Sequence, residues 1–285
     1  MRHNTRMDYV RAAQPRVVAL FLLTVVVAML LAGPPGPLLL VAVVIATGLT
    51  VAGAAMLNNY LERDLDRRME RTRRRPIAAG AVSPRRALAV SLSATAAGVL
   101  GLLLVAGTPA AVFALCGAAY YVIVYTLILK PRTALSALPG GVAGIFPALI
   151  GWTAAGGGWS HDIVFVCALI VVWSPPHFWA LTLARRDDYV SAGIPTPSVT
   201  YGEKTTCRQI LVFVALLTAL TAAPLAWGLS SLVYPIVALV AGAVLWVLAI
   251  DLNRRRTTRS AWVFFKCSGP YLAAILLALV VDRLR

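Results

Sequence analysis

Charged side chains are scarce in this chain. Asp, Glu, Lys and Arg make up 13% of its 285 residues, and only 11 residues are acidic; soluble domains carry about 25%. No polar stretch is long enough to form a separate water-soluble domain, the longest lying between the second and third apolar runs. A low-complexity tail and a short tandem repeat are also absent. The four cysteines form no CxxC or metal-finger spacing, and three of them, Cys116, Cys167 and Cys267, fall in or beside apolar runs. This excludes a disulfide framework and a zinc-finger module.

What the chain has instead is apolar length. It is 60% hydrophobic, with a mean hydropathy of +0.81, in uncharged runs too extended for the core of a soluble domain. A bilayer core of about 30 Å takes roughly 20 apolar residues per spanning helix. Nine spans are predicted, near Val17–Ala32, Leu38–Tyr60, Arg86–Ala106, Ala110–Leu129, Ala134–Ala155, Ile163–Ala184, Gln209–Leu229, Leu232–Ala249 and Ala261–Val281. The first run is not followed by a small-residue cleavage site and a polar mature region, so it reads as a retained helix rather than a signal peptide. The expectation is an all-α membrane protein, with residues 1–285 as one domain.

A net charge of +15 raises the question of nucleic acid, and its distribution answers it. Lys and Arg fall before span 1 and in connections 2–3, 4–5, 6–7 and 8–9, whereas connections 1–2, 3–4, 5–6 and 7–8 carry none. That alternation is the positive-inside pattern. It predicts a cytoplasmic N-terminus and an outward C-terminus, where Arg283 and Arg285 are the exception. The basic surplus thus reports topology, with attraction to anionic lipid as a secondary consequence, and no nucleic-acid partner is expected.

The most informative segment is Asn58-Asn59-Tyr60-Leu61-Glu62-Arg63-Asp64-Leu65-Asp66, at the end of span 2. Asn58, Glu62 and Asp66 recur every four residues, so a helix continued through them points all three at one object. Three oxygen side chains suit Mg²⁺, which takes one or two protein carboxylates and leaves its other positions to water and phosphates. The run Arg71-Thr72-Arg73-Arg74-Arg75-Pro76 then supplies donors for phosphate oxygens. A second acidic pair, Asp187-Asp188, follows span 6, and seven of the 11 acidic residues lie in connections 2–3 and 6–7. Both connections are predicted on the same side of the membrane. Across a shared cavity the two clusters would repel by roughly 1–4 kcal/mol per close pair, a sign that divalent cations reverse. These residues point to metal-assisted chemistry on a lipid diphosphate, whose tail belongs in the bilayer and whose head belongs at the cytoplasmic rim. The protein's part would be positioning, electrostatic stabilisation and exclusion of water from an allylic cation.

The same residues resemble the first aspartate-rich motif of the UbiA-type membrane prenyltransferases, together with Met69-Glu70-Arg71-Thr72 and Arg75-Pro76. Tyr125 to Lys130 with Arg132-Thr133, Gly140-Gly141 through Gly151-Trp152, and Pro175-Pro176-His177-Phe178-Trp179 with Asp187-Asp188-Tyr189 and Ala192-Gly193-Ile194-Pro195 resemble the protoheme IX farnesyltransferase, or heme O synthase, branch. The likeness runs from about Asp8 to the last span. It implies a bundle of nine helices with a central cavity, in which farnesyl diphosphate alkylates a vinyl group of heme b and water completes the new side arm. It implies Mg²⁺ at Asn58, Glu62 and Asp66 and again at Asp187 and Asp188. Arg71, Arg75, Lys130 and Arg132 match diphosphate-binding positions, and Asn59, Tyr125, His177 and Lys204 complete the expected substrate-binding set. The expected location is the cell membrane, with the active site open to the cytoplasm.

Three positions depart from the branch: Glu62 for Asp, Ser136 for Asn, and Thr196-Pro197-Ser198-Val199 for Met-Leu-Pro-Val. A diverged prenyltransferase acting on another acceptor, or a terpene cyclase, would keep the metal residues and change those near Ser136 and Thr196. A transporter would place ionisable groups near the midplane, often on broken helices, and only a break at Pro175-Pro176 beside His177 fits that pattern. At such a break a freed carbonyl is the expected partner of the imidazole. Gly140 and Gly144 suit close helix packing, Arg254-Arg255-Arg256 a topology signal, and Trp152, Trp159 and Trp173 interfacial or core aromatics.

Overall fold

The computed structural model describes residues 5–227 and 231–284, and among them every regular element is a helix. In chain order these are α1 (Thr5–Ala12), α2 (Pro15–Ala32), α3 (Pro37–Leu61), α4 (Arg63–Asp66), α5 (Pro84–Ala106) and α6 (Thr108–Ala119). A π-helical segment, Tyr120–Leu129, follows α6 and leads to α7 (Lys130–Arg132). Then come α8 (Ala137–Gly140), a 3₁₀ turn at Gly141–Gly144, α9 (Ile145–Ala154), α10 (His161–Ala184), α11 (Arg186–Ala192), α12 (Pro197–Thr200) and α13 (Glu203–Thr221). A 3₁₀ turn, Ala223–Trp227, precedes α14 (Val233–Arg255) and α15 (Thr258–Arg283).

Helices dominate because a bilayer offers no partner for a backbone N–H or C=O, so each must be satisfied within its own segment. The starts are written locally. Proline stands at the first or second position of α2, α3 and α5, where its missing N–H costs nothing. Ser83 caps α5, Ser160 caps α10, and Thr257 with Ser260 forms a capping box at α15. Among the described residues nine helices are long and apolar enough to cross a membrane, and their bounds follow the predicted spans within a few residues, except at the eighth, which runs on from the expected Ala249 to Arg255, and at the seventh. That helix begins at Glu203 rather than Gln209, directly after Gly202 at φ 83°, because a polar first turn stands outside the apolar stretch. The predicted end of that span, Leu229, lies outside the described residues.

By contacts the chain divides into two compact units. One comprises Met1–Ile128, Phe146–Gly158 and Val190–Gly193, and the other Leu129–Ile145, Trp159–Tyr189 and Ile194–Arg285. In the first, α3 packs along α5, with α2 and α6 beside them. Glycines set that approach: a Cβ on Gly53 would lie 2.6 Å from the Ser91 carbonyl oxygen, and one on Gly98 2.5 Å from that of Ala46. Small residues at crossings are how helices associate in lipid, where apolar burial offers little drive. The connection after α4 is not a solvated loop, since Met69, Ile77 and Val82 are buried, and Ile77 and Val82 join Met56 and Ala87 in a local core.

In the second unit α10 is the central helix, contacted by α8, α13 and α15. It runs unbroken through Pro175 and Pro176, contrary to the break expected there. Of Gly140 and Gly144, expected to serve close packing, Gly144 does so, since a Cβ there would lie 2.8 Å from Ile170 Cγ2; the neighbouring Gly141 is packed as closely, 2.9 Å from Ser174 Cβ. Arg283, the exception in the charge pattern, pairs with Asp162 at 2.9 Å. Trp152 and Trp173 are buried, whereas Trp159 is exposed.

Candidate functional site

In the first unit the acidic segment keeps its spacing although its helix does not run on unchanged. Glu62 leaves α-helical geometry at φ −90° and ψ 5° between α3 and α4. The four-residue bonds nonetheless persist, with Glu62 N–H donating to the Asn58 carbonyl at 2.9 Å and Asp66 N–H to that of Glu62 at 2.7 Å. The three side chains therefore still follow one another along one face. Asn58, Glu62 and Asp66 are 4%, 7% and 2% exposed, an unusual depth for two carboxylates.

Arg75 returns from the following connection to Asp66. A single nitrogen, Nη1, donates to both carboxylate oxygens, at 3.0 and 2.9 Å, so Nη2 and Nε take no part in that pair. The buried Thr72 hydroxyl donates to the Asp66 carbonyl at 3.1 Å and pins the returning chain. Burial raises the pKa of Asp66 above its ordinary value of 3.8; Arg75 opposes that rise and the Glu62 charge adds to it. Charge is thus held here at a cost that one guanidinium does not cancel. Oxygen donors, burial and excess negative potential together fit a small hard cation. Among the described residues no three His, Cys, Asp or Glu side chains stand close enough to hold a metal by themselves. Mg²⁺ needs fewer, since water and phosphate fill its remaining positions.

Asn58 donates through Nδ2 to the Thr126 hydroxyl at 3.0 Å, across 68 residues of sequence. Thr126 lies in the π-helical segment with Tyr121, which stands within range of the Glu62, Asp66 and Arg75 charges. Tyr125 stacks on Tyr121 at 5.9 Å. Asn59 is committed elsewhere: its Nδ2 donates to the Ala12 carbonyl at 2.7 Å and its Oδ1 accepts from Gln14 Nε2 at 3.0 Å. Both ends of that amide close the elbow between α1 and α2. Arg71 is exposed on the same connection.

In the second unit α11 separates the acidic pair, leaving Asp187 exposed and Asp188 buried. Arg186 Nε donates to the Ser198 carbonyl at 3.2 Å, and the Arg185 guanidinium lies 5.0 Å from the Trp262 ring centre. Lys130 is half-buried, and Arg132 and Lys204 are exposed. The departures Ser136, Thr196 and Ser198 are all buried, and Thr196 and Ser198 hydrogen-bond to each other at 3.1 Å.

His177 does not meet a freed carbonyl. Its ring lies between Trp173, 4.3 Å away by ring centres, and Phe265, 4.5 Å away, and its Nδ1 is 2.7 Å from the Ser268 hydroxyl. That hydroxyl also lies 2.9 Å from the Phe265 carbonyl oxygen. Whether Nδ1 donates to that hydroxyl or accepts from it is set by the tautomer of the imidazole.

These features define a multi-pass α-helical membrane protein with an oxygen-and-arginine site at a helix end. The model of the UbiA prenyltransferase family matches residues 21–276, and the chain belongs to that family. It is 37% identical over 278 residues to a protoheme IX farnesyltransferase of Roseiflexus sp. (strain RS-1), covering 97% of this chain and 52% of that protein. The chain therefore spans about half the length of that relative. A protoheme IX farnesyltransferase of Azorhizobium caulinodans is 36% identical over 286 residues, covering 99% of this chain and 93% of its own. In fold the chain is similar to a UbiA homolog from Archaeoglobus fulgidus solved bound to DMAPP and Mg²⁺, with a TM-score of 0.72, 14% identity, and coverage of 96% of this chain and 99% of that one.

Proposed function

We propose that this protein is a Mg²⁺-dependent membrane prenyltransferase that moves the farnesyl group of farnesyl diphosphate to a vinyl group of heme b. The observation that carries this reading is the buried Asp66, held by Arg75 beside Glu62 and Asn58, in a chain whose relatives of 36–37% identity are named for that transfer.

Asn58, Glu62 and Asp66 are proposed to hold Mg²⁺, as are Asp187 and Asp188. When bound, Mg²⁺ supplies charge neutralisation for the departing diphosphate. The chain's own residues do the rest. Arg71 and Arg75 in the first unit, and Lys130, Arg132 and Lys204 in the second, are each proposed to bind diphosphate oxygens through charged N–H donors. As the C1–O bond of the donor breaks, a vinyl carbon of the acceptor forms the new bond to C1. Water then adds to the side-chain cation and gives up a proton. The half-buried Tyr125 and the aromatic-flanked His177 are proposed to line the acceptor. Apolar walls keep water from the allylic cation before transfer. The lysines and arginines in alternate connections support a cytoplasmic N-terminus and a site open to the cytoplasm, in the cell membrane.

Two experiments test this. Mass spectrometry of products from purified protein, offered farnesyl or geranylgeranyl diphosphate with and without heme b, should find a farnesyl adduct of heme only with both substrates and Mg²⁺. Consumption of the donor with no heme product would move the assignment to another acceptor or to cyclisation. Reporters fused after Arg75 and Gly107 should read as cytoplasmic and outward; the same side for both would end the nine-span topology.

A further inference from the structure

An asparagine amide can turn either its oxygen or its NH₂ toward a neighbouring site. For Asn58 the choice decides whether the side chain attracts or repels a cation, because Mg²⁺ accepts oxygen ligands and an NH₂ presents only protons. The structure contains a device that makes this choice. The Thr126 hydroxyl has one proton, which it donates to the Tyr121 carbonyl at 2.8 Å. Its oxygen can then only accept, and the group 3.0 Å away is Asn58 Nδ2. With the NH₂ committed to Thr126, Oδ1 is turned away from it. Both residues are buried, at 4% and 5% exposure, so water does not substitute for either partner.

The backbone explains why Thr126 is available. Thr24, Thr50 and Thr95, in α-helical spans, satisfy their hydroxyls on the carbonyl four residues back. Thr126 reaches five residues back because Tyr120–Leu129 is π-helical. An added residue per turn rotates the rest of the helix by about 100°. Thr126 is thereby buried against Asn58 while its neighbours Leu127 and Ile128 are exposed. π segments are rare and concentrate at functional sites.

We infer that Thr126 is a positioning residue for divalent-cation binding: it orients the Asn58 amide so that Oδ1, not NH₂, is offered to the cation. The inference rests on the assignment of Asn58 as a magnesium ligand and extends it to a residue that touches no metal.

The test uses the full-length protein in detergent, without prenyl diphosphate, and reads Mn²⁺ binding by electron paramagnetic resonance. Thr126→Val keeps the shape and removes the hydroxyl; it should weaken Mn²⁺ binding about tenfold, as loss of an outer partner of a ligand does. Thr126→Ser should restore wild-type binding. Asn58→Asp has oxygen at both ends, so adding Thr126→Val to that variant should cost nothing. Equal weakening of Mn²⁺ binding by Thr126→Val in the wild type and in the Asn58→Asp variant would overturn the inference, as would wild-type binding in the single Thr126→Val variant. Asn58→Ala separates the two levels: if it binds Mn²⁺ as the wild type does, the ligand assignment itself fails. Thr126→Ala serves if Thr126→Val does not fold.

Discussion

Arg75 and a bound cation are alternative counter-charges for one buried carboxylate, and that makes Arg75→Met a sharp perturbation. The side chain of Asp66 is 3% exposed and that of Arg75 22%, with Nη1 2.9 and 3.0 Å from the two oxygens. At an effective dielectric of 20 and a separation near 3 Å, such a pair attracts by about 5 kcal/mol. The net loss is smaller, because Asp66 can take up a proton instead of remaining charged, and removing one partner of a buried pair costs about 3–5 kcal/mol. The lower figure, about 3 kcal/mol, is the expectation. It corresponds to a fall in melting temperature of roughly 6–12 °C in Mg²⁺-free detergent. Magnesium at a hundred times its dissociation constant should return about 2.7 kcal/mol and so recover most of that fall. Differential scanning fluorimetry of wild type and variant, each with and without Mg²⁺, measures all four states. A variant as stable as the wild type without Mg²⁺, or one that Mg²⁺ fails to rescue, would refute the reasoning.

Asp66→Asn should abolish prenyl transfer while leaving folded protein at wild-type yield. The native pKa of Asp66 lies above its ordinary value of 3.8, so its contribution to stability is fully present below that value and is lost as pH rises through the raised pKa. An amide at this position cannot ionise; melting curves in Mg²⁺-free buffer should favour Asp66→Asn increasingly from acid to neutral pH, and a constant difference would contradict this. Gly53→Leu should cost about 1–3 kcal/mol or more by overpacking against α5, read as lower thermal stability, whereas the same change at Gly80, which has open space but φ 78°, should act only through backbone strain. His177→Ala should reduce transfer to heme and shift the Soret band of bound heme, with donor hydrolysis changing less; an unaltered Soret band would remove His177 from the acceptor site.

Much of the site was legible because it is local. The Asn58-Glu62-Asp66 spacing needs only helical geometry at the end of an apolar run, and four-residue backbone bonds preserve it even where Glu62 leaves the α conformation. Arg75 was legible as a donor for a phosphate, not as the partner of Asp66, because a nine-residue return depends on the burial of Ile77 and Val82. Asn59 lies outside that spacing, and its amide contacts with Ala12 and Gln14 were not legible, since they depend on how the chain before α2 returns to α3.

Composition alone determined the class. A chain with few charges and long apolar runs has no way to satisfy its backbone in lipid except as helices, and the nine spans follow from length and hydropathy. What only the tertiary structure decided is which polar side chains face one another. Asn58 meets Thr126 across 68 residues, His177 meets Ser268 across 91, and Trp173 donates to the Ser268 carbonyl across 95. Each depends on the rotation and axial register of two packed helices, and for Thr126 the π segment at Tyr120–Leu129 alters that rotation by about 100°. Hydropathy is nearly blind to such a rotation, because in a membrane helix both the lipid face and the packed face are apolar.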